Sequence, residues 1–288
     1  MNSPPRLKTS TPEMLVENVL HLVSLPEIYL RLQQVLDDPH HTRMQVAEVV
    51  AYDPSLSARV LRIANSSYYG FPNEVDSIST AVNIIGEIEL RNIVLATTVV
   101  NTMSKLEQNG LDINQFWLHS VLCGVTARLI AREVGGCNPE NLFLCGMLHD
   151  LGILILYRQE KELANSVAWQ MHDCQQSRHQ AEQVLLGFDH ARLGGLLAQA
   201  WGSTPLLQEV INCHHQPTMA VEYLREAQIL CLANLFAQPQ FEIDNFMAVA
   251  DQETRKLAET LAMDFYQVPQ LIENARLQSS EIQSIICG

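Results

Sequence analysis

Apolar residues recur along most of this chain with the three-to-four-residue spacing of helices that bury one face. The stretch after Asp53 is typical: Leu56, Val60, Ile63 and Ala64 fall on one helical face before the polar turn Asn65-Ser66-Ser67. Helix starts are marked by a capping side chain before a proline, at Thr11-Pro12, Asp53-Pro54, Asn138-Pro139 and Thr204-Pro205. The cap accepts from the free N–H groups of the first turn, and proline loses nothing at the first helical position. Capping-box spacing occurs at Thr42-x-x-Gln45, Asp112-x-x-Gln115 and Ser177-x-x-Gln180. Gly135-Gly136 and Gly202 read as helix stops, and Gly86 as a break between two helices. No turn of the Asn-Gly or Asp-Gly type lies between alternating strands, and the lone Asn109-Gly110 reads as an interhelical loop. The prediction is an all-α fold.

The loop near Leu106–Leu111 is the best boundary. It divides an N-terminal helical subdomain, 1–108, with about six helices, from a helical subdomain at 109–288. The second part carries the clustered histidines, and its last stretch, 240–288, adds roughly two or three helices without site chemistry. No internal repeat is visible.

With 288 residues, 47% of them hydrophobic, the chain can bury a real core as one large or two small domains. Its formal charge of −14 and scattered basic residues argue against a nucleic-acid surface, which needs a dense Lys/Arg patch. A small anionic ligand in a local pocket stays open. The N-terminus, Met1 to Lys8, lacks the apolar core of a signal peptide. No apolar run is expected to span a membrane, because the longest is cut by His149-Asp150. The seven cysteines form no CxxC pair, so reduced thiols in a cytoplasm are the simple reading.

The central chemical feature is His149-Asp150, set in the helix-like apolar run Leu142–Leu156. Burying both groups is costly unless a metal ion or a hydrogen-bond network compensates them. His119, His190, His214 and His215 stand at helix-like positions around this pair. Each has a plainer reading. His119 could be a satisfied core histidine, and His149-Asp150 an internal hydrogen-bonded pair. His190 follows Asp189, a candidate N-cap, and His214 and His215 could cap the C-terminal end of the Pro205–Cys213 helix as imidazolium. Gly194-Gly195 reads as a close helix contact, and Trp117 and Trp201 as core rather than a base-stacking platform.

Several strings are distinctive together. They are Asp53-Pro-x-Leu-x-x-x-x-Leu-x-x-Ala-Asn-Ser-x-x-Tyr-Gly70, Ser77-Ile-x-x-Ala-Val-x-x-x-Gly86, Phe116-Trp117-x-His119-Ser120 and Gly146-x-Leu148-His149-Asp150-Leu151-Gly152. To these are added Leu25-Pro26-Glu27, His190-x-x-x-Gly194, Trp201-Gly202 and His214-His215-x-Pro217. From about Leu25 to Phe236 the chain closely resembles the HDOD family, the bacterial HD-related output domain. The resemblance implies an N-terminal helical bundle packed on an HD-like helical domain, related to metal-dependent HD phosphohydrolases. It also implies an output role in bacterial signalling, such as two-component signalling and response-regulator output. This chain shows no attached receiver or kinase domain, so its signalling partner would act in trans.

The same resemblance makes His119 the first metal ligand and His149-Asp150 the central pair, and His190, His214 and His215 match further histidines of related cyclic-dinucleotide hydrolases. The implied cofactor is a divalent ion such as Fe, Mn, Zn or Ni, for imidazole suits several such metals and a carboxylate can bridge two. The chain departs from the active pattern at three places. Asn234 aligns with the distal Asp and brings no negative charge. Ile153 replaces the Lys found after His-Asp-x-Gly in the HD-GYP subgroup, and Gln216-Pro217-Thr218 stands where that subgroup has its GYP loop. The leading expectation is therefore a non-catalytic regulatory module that binds a protein partner, with ligand binding in a vestigial HD pocket. The alternatives are a phosphohydrolase for cyclic-nucleotide or other phosphodiester substrates with a reduced site, in which Asp150 is catalytic, and a mononuclear metal or haem-type sensor.

Overall fold

A computed structural model describes residues 11–23, 25–105, 111–159, 161–174, 176–239 and 250–287. Among them there is no strand. The helices are α1 (Pro12–Leu20), α2 (Glu27–Asp37), α3 (Arg43–Ala51), α4 (Pro54–Ala64), α5 (Ile78–Ile85) and α6 (Glu87–Met103). They continue as α7 (Ile113–Val134), α8 (Pro139–Leu148), α9 (Leu151–Gln159), α10 (Lys161–Asp173) and α11 (Arg178–Leu186). The rest are α12 (His190–Ala200), α13 (Pro205–Cys213), α14 (Leu224–Phe236), α15 (Gln252–Thr260) and α16 (Val268–Ile286).

The local signals act as expected. Thr11, Asp53, Asn138 and Thr204 each accept from N–H groups of the helix they open. Gln45 and Gln180 reach back to the Thr42 and Ser177 N–H groups. Gly86 separates α5 from α6 at a φ of 97°, which a side chain would resist. The boundary expected near Leu106–Leu111 falls on residues 106–110, outside the described ones.

Helices α2–α6 pack together, and α6 lies on α8. The second group is centred on α7, α8, α12, α13 and α14, with α9 against α12. Two helices cross between the groups. The first helix, α1, seats on α9 and α12, tied by Arg192 to Glu13 at 3.3 Å and by the Gln159 amide to the Leu15 carbonyl. The last, α16, lies along α7 and reaches α4, where the Glu281 carboxylate accepts from the Ser67 N–H at 2.9 Å and its hydroxyl at 2.5 Å.

By length and hydropathy Pro139–Gln159 could cross a membrane, but 89% of its apolar window is buried inside the fold. The run is also not one uninterrupted helix: α8 ends at Leu148, His149 and Asp150 form a turn, and α9 begins at Leu151. The Ile153 N–H closes that turn on the Asp150 carbonyl at 2.8 Å.

A buried ion pair fastens the groups together. The fully buried Arg128 of α7 donates from Nε to Glu140 Oε1 at 2.6 Å and from Nη1 to the Tyr68 carbonyl at 3.0 Å. The Tyr68 hydroxyl donates to Glu140 Oε2 at 3.1 Å, and the guanidinium lies 3.6 Å from the centre of the Tyr68 ring. Burial keeps the Tyr68 phenol neutral, far above its ordinary titration range. Asn92 of α6 adds a bond to the Glu140 carbonyl at 3.2 Å. The Ala64–Gly70 segment is thus a structural clasp, although the residue that reaches the ion pair, Tyr68, is not the tyrosine of the string, which is Tyr69. Asn65 bridges the Leu61 and Val75 carbonyls and the Val75 N–H, while Tyr68 reaches the ion pair. Removing one partner strands the other charge, so Glu140→Ala is expected to cost about 3–5 kcal/mol in denaturant unfolding. A loss below 1 kcal/mol, the range of an exposed pair, would show that the pair does not hold the groups together.

Candidate metal centre

Four segments deliver the histidines to one point, and a fifth brings Asn234 to them. His119 sits one and a half turns into α7, and His149-Asp150 occupies the turn between α8 and α9. His190 is the first residue of α12, His214 and His215 follow the last residue of α13, and Asn234 lies near the end of α14. Close helix approach makes this possible. A Cβ on Gly152 would stand 2.0 Å from the His190 carbonyl oxygen, and one on Gly146 would stand 2.5 Å from Gly124 Cα of α7. Gly194 and Gly195 likewise fit against α13, as their sequence reading held.

Asp150 is the hub. Its Oδ1 lies 3.2 Å from His149 Nε2, 3.2 Å from His190 Nε2 and 3.8 Å from His214 Nε2, and its Oδ2 lies 3.6 Å from His119 Nε2. His215 Nε2 is 2.8 Å from His190 Nε2. All the histidines singled out in the sequence therefore meet. They fall into two trios able to hold a metal ion, His190–His214–His215 and His119–His149–Asp150. Trp117 and Trp201 stay outside, their indole N–H groups bonded to Ser104 Oγ and the Val23 carbonyl, both at 2.8 Å.

The far side of each ring fixes its orientation. Nδ1 of His149 donates to the Gly146 carbonyl at 2.8 Å, and Nδ1 of His214 to the Ile211 carbonyl at 2.7 Å. Each ring thus turns Nε2 to the centre. These two Nε2 atoms are buried beside the Asp150 carboxylate, but neither makes a bond of hydrogen-bond geometry. Such orphaned atoms are costly in a protein interior unless something else binds them. His214 does sit at a helix C-terminus, but burial and the neighbouring His149 and His190 hold it far below its usual titration range. It is a neutral ring, not the imidazolium cap that its position suggested. Burial, with His214, His190 and His179 around it, does the same to His215.

His190 is anchored by a residue that the sequence reading missed. Glu182 Oε2 accepts from His190 Nδ1 at 2.6 Å and from its backbone N–H at 2.8 Å, while Asp189 caps the helix through the Arg192 N–H. Glu182 is 1% exposed. The available signal was its phase, for it shares the buried face of α11 with Ala181 and Leu185. A carboxylate behind a ligating histidine fixes the ring and strengthens it as a donor. The second missed residue is His179, whose ring stacks on His215 with centroids 4.2 Å apart.

Charge at the centre is strongly unbalanced. Burial alone would raise the Asp150 carboxyl, but His149 and His190 outweigh it and hold Asp150 ionised, well below the usual carboxylate range. Burial also opposes charge on His190, and Glu182 and Asp150 override it and lift that ring to about 10. Without an ion, protons supply the positive charge that this carboxylate demands. The ion pairs of Asp150 among the described residues are all with histidines. The donor set, the orphaned Nε2 atoms and the ionised hub fit a divalent metal ion on the His190, His214, His215 and Asp150 side. The other side differs, since Asn234 Oδ1 lies 3.1 Å from His119 Nε2 and also accepts from Gln238 at 3.3 Å.

Comparison with known proteins identifies the family and the fold. The family model described as HDOD domain matches residues 22–217, which includes every candidate ligand but stops short of Asn234. A solved structure of a candidate phosphohydrolase from Shewanella amazonensis SB2B is 29% identical, with a TM-score of 0.76, over 96% of this chain and 98% of that one. A candidate signal transduction protein from Marinobacter aquaeolei VT8 shares the fold at 20% identity and a TM-score of 0.70, covering 94% of this chain and 60% of that one. An uncharacterized protein of Treponema pallidum (strain Nichols) is 22% identical over 90% of this chain, which spans about half of that relative's length.

Two outcomes follow from the centre. Glu182→Gln is expected to weaken metal binding by about 10–100-fold, read by competition with a chelator, while the circular dichroism spectrum stays unchanged. Equal affinity in the variant would remove Glu182 from the site. Because bound metal must displace ring protons, affinity should fall as pH falls. Titration calorimetry in buffers of different ionisation enthalpy would register the released protons, and a buffer-independent heat would contradict this.

Proposed function

The chain belongs to the HDOD domain family, and from that premise we propose that it is a signalling output module whose histidine centre binds a divalent ion without catalysing phosphodiester hydrolysis. The observation that carries this reading is Asn234. It occupies the position where HD hydrolases place a carboxylate, and it bonds to His119 instead of adding negative charge beside Asp150. An amide offers one neutral oxygen, which is a poor counter-charge for a second divalent ion. Ile153, buried at the start of α9, supplies no cation for a phosphate group.

In this reading His190, His214 and His215 with Asp150 hold the ion, and Glu182 keeps His190 aimed at it. A bound ion of this kind can polarise a ligand oxygen or lower the pKa of bound water. In this reading the module acts by contact with a protein partner. That it works in the cytoplasm and outside nucleic-acid complexes is part of the same proposal, supported by its acidic charge and scattered basic residues.

The second reading, a metal-dependent phosphohydrolase, draws on the two adjacent trios and on the candidate phosphohydrolase from Shewanella. One experiment separates them. Protein loaded with manganese or iron(II) is assayed on bis-p-nitrophenyl phosphate and on cyclic dinucleotides, with His149→Ala as the control. The expected result is turnover no greater than that of the control. Turnover that vanishes in His149→Ala would establish the hydrolase and end the non-catalytic reading. Asn234→Asp, which restores a carboxylate beside His119, is expected to raise the metal bound per chain in elemental analysis. Unchanged metal content would show that Asn234 does not limit the centre.

A further inference from the structure

A second polar site lies away from the histidines, where the two helical groups meet. Helices α2, α6 and α8 and the N-terminal end of α13 enclose a small cavity open on one side, of about 20 Å³. A water needs about 10–15 Å³ by the same measure, so the space admits a group somewhat larger than one water.

Its polar lining is Tyr29, Arg91, Asn92, Asn141, Ser203 and Thr204, in which Arg91 carries the one formal charge. Arg91 of α6 is half-buried and makes no hydrogen bond or ion pair among the described residues. In a chain with a formal charge of −14, an arginine left without an acidic partner is notable. Ser203 Oγ is buried and also has no partner. Asn141 also lines the space, and because its Oδ1 already accepts from Asn92 at 3.1 Å, its amide nitrogen is the group left to donate. Tyr29 is a further lining residue. The nine-residue helix α13 begins at this wall with Thr204 as its cap and Pro205 at its first position, leaving the Leu206 N–H free of its own helix.

We propose that this cavity binds a phosphate-type oxyanion, with Arg91 as the charged contact and Ser203, Asn141 and Tyr29 as neutral donors around it. The assignment follows from chemistry. An arginine fork with several neutral donors suits a group that carries negative charge and many acceptor oxygens. The first turn of a helix favours the same charge. The small volume limits the enclosed part to one such group, and the open side lets the remainder of a phosphomonoester project outward. The placement also has a reach. The wall at Asn141 and Leu144 belongs to α8, which ends at His149, and the wall at Thr204 belongs to α13, which ends at His214. An occupant would therefore touch both the N-terminal group, through Arg91 and Tyr29, and two of the helices that carry the metal centre. The proposal stands independently of whether that centre holds a metal.

The test is titration calorimetry of chelator-treated full chain with inorganic phosphate, and in parallel with methyl phosphate. Saturable binding in the millimolar range or tighter is expected, weakened about tenfold or more by Arg91→Gln and by Ser203→Ala. His149→Ala should bind phosphate as the unaltered chain does, which separates this cavity from the histidine cluster. Tighter binding of methyl phosphate would identify a phosphomonoester as the occupant, and weaker binding the free ion. No saturable binding by the unaltered chain would overturn the proposal. So would phosphate affinity that survives both Arg91→Gln and Ser203→Ala, or that is lost in His149→Ala.

Discussion

A single ionised carboxylate at the centre of a helical bundle sets the terms for everything around it. Asp150 is buried, and the desolvation cost of its charge can be met only by positive charge brought within a few ångströms. The protein meets that demand with the neighbouring His149 and with rings from three other helix segments. Each ring is held from behind, by a helix-end carbonyl for His149 and His214 and by Glu182 for His190. To bring those segments together, the chain interrupts its most apolar run at His149 and places glycines where backbones touch. The turn between α8 and α9, the abrupt start of α12 and the histidines ending α13 all serve the same carboxylate.

The helical class was plain in the sequence because it depends on local chemistry. A capping side chain before proline specifies its own helix start whatever the rest of the chain does, and each of the four such sites caps as read. The histidines were legible for another reason: His149-Asp150 is too polar for its surroundings, and the family strings tied the other rings to it. Glu182 and Arg128 were passed over although each sits in phase with a buried helical face. A charge in that phase looks like an irregularity in the pattern until its partner is seen. Those partners, His190 and Glu140, lie eight and twelve residues away on other helices, beyond any local rule.

The titration state of His214 shows a further limit of reading along the chain. Its position after the last residue of α13 favours imidazolium on local grounds. The neighbouring rings and the loss of water reverse that preference, and neither is visible in the helix itself. Local sequence fixed where the ring is and which carbonyl it bonds. Only the assembled centre decides its charge, and with it whether Nε2 is free to bind a cation.

The two helices that cross between the halves bear on where the molecule can be divided. The span matched by the family model starts at residue 22 and ends at 217, yet Leu15, Val16 and Val19 of α1 are buried against the second group. Buried residues of α16, among them Leu271, Ile272 and Ala275, face α7 and its neighbours at the other end of the chain. Cutting to the recognised span would leave the floors beneath α9, α12 and α7 as bare apolar troughs. The span that the family model matches is therefore shorter than the segment that must fold together.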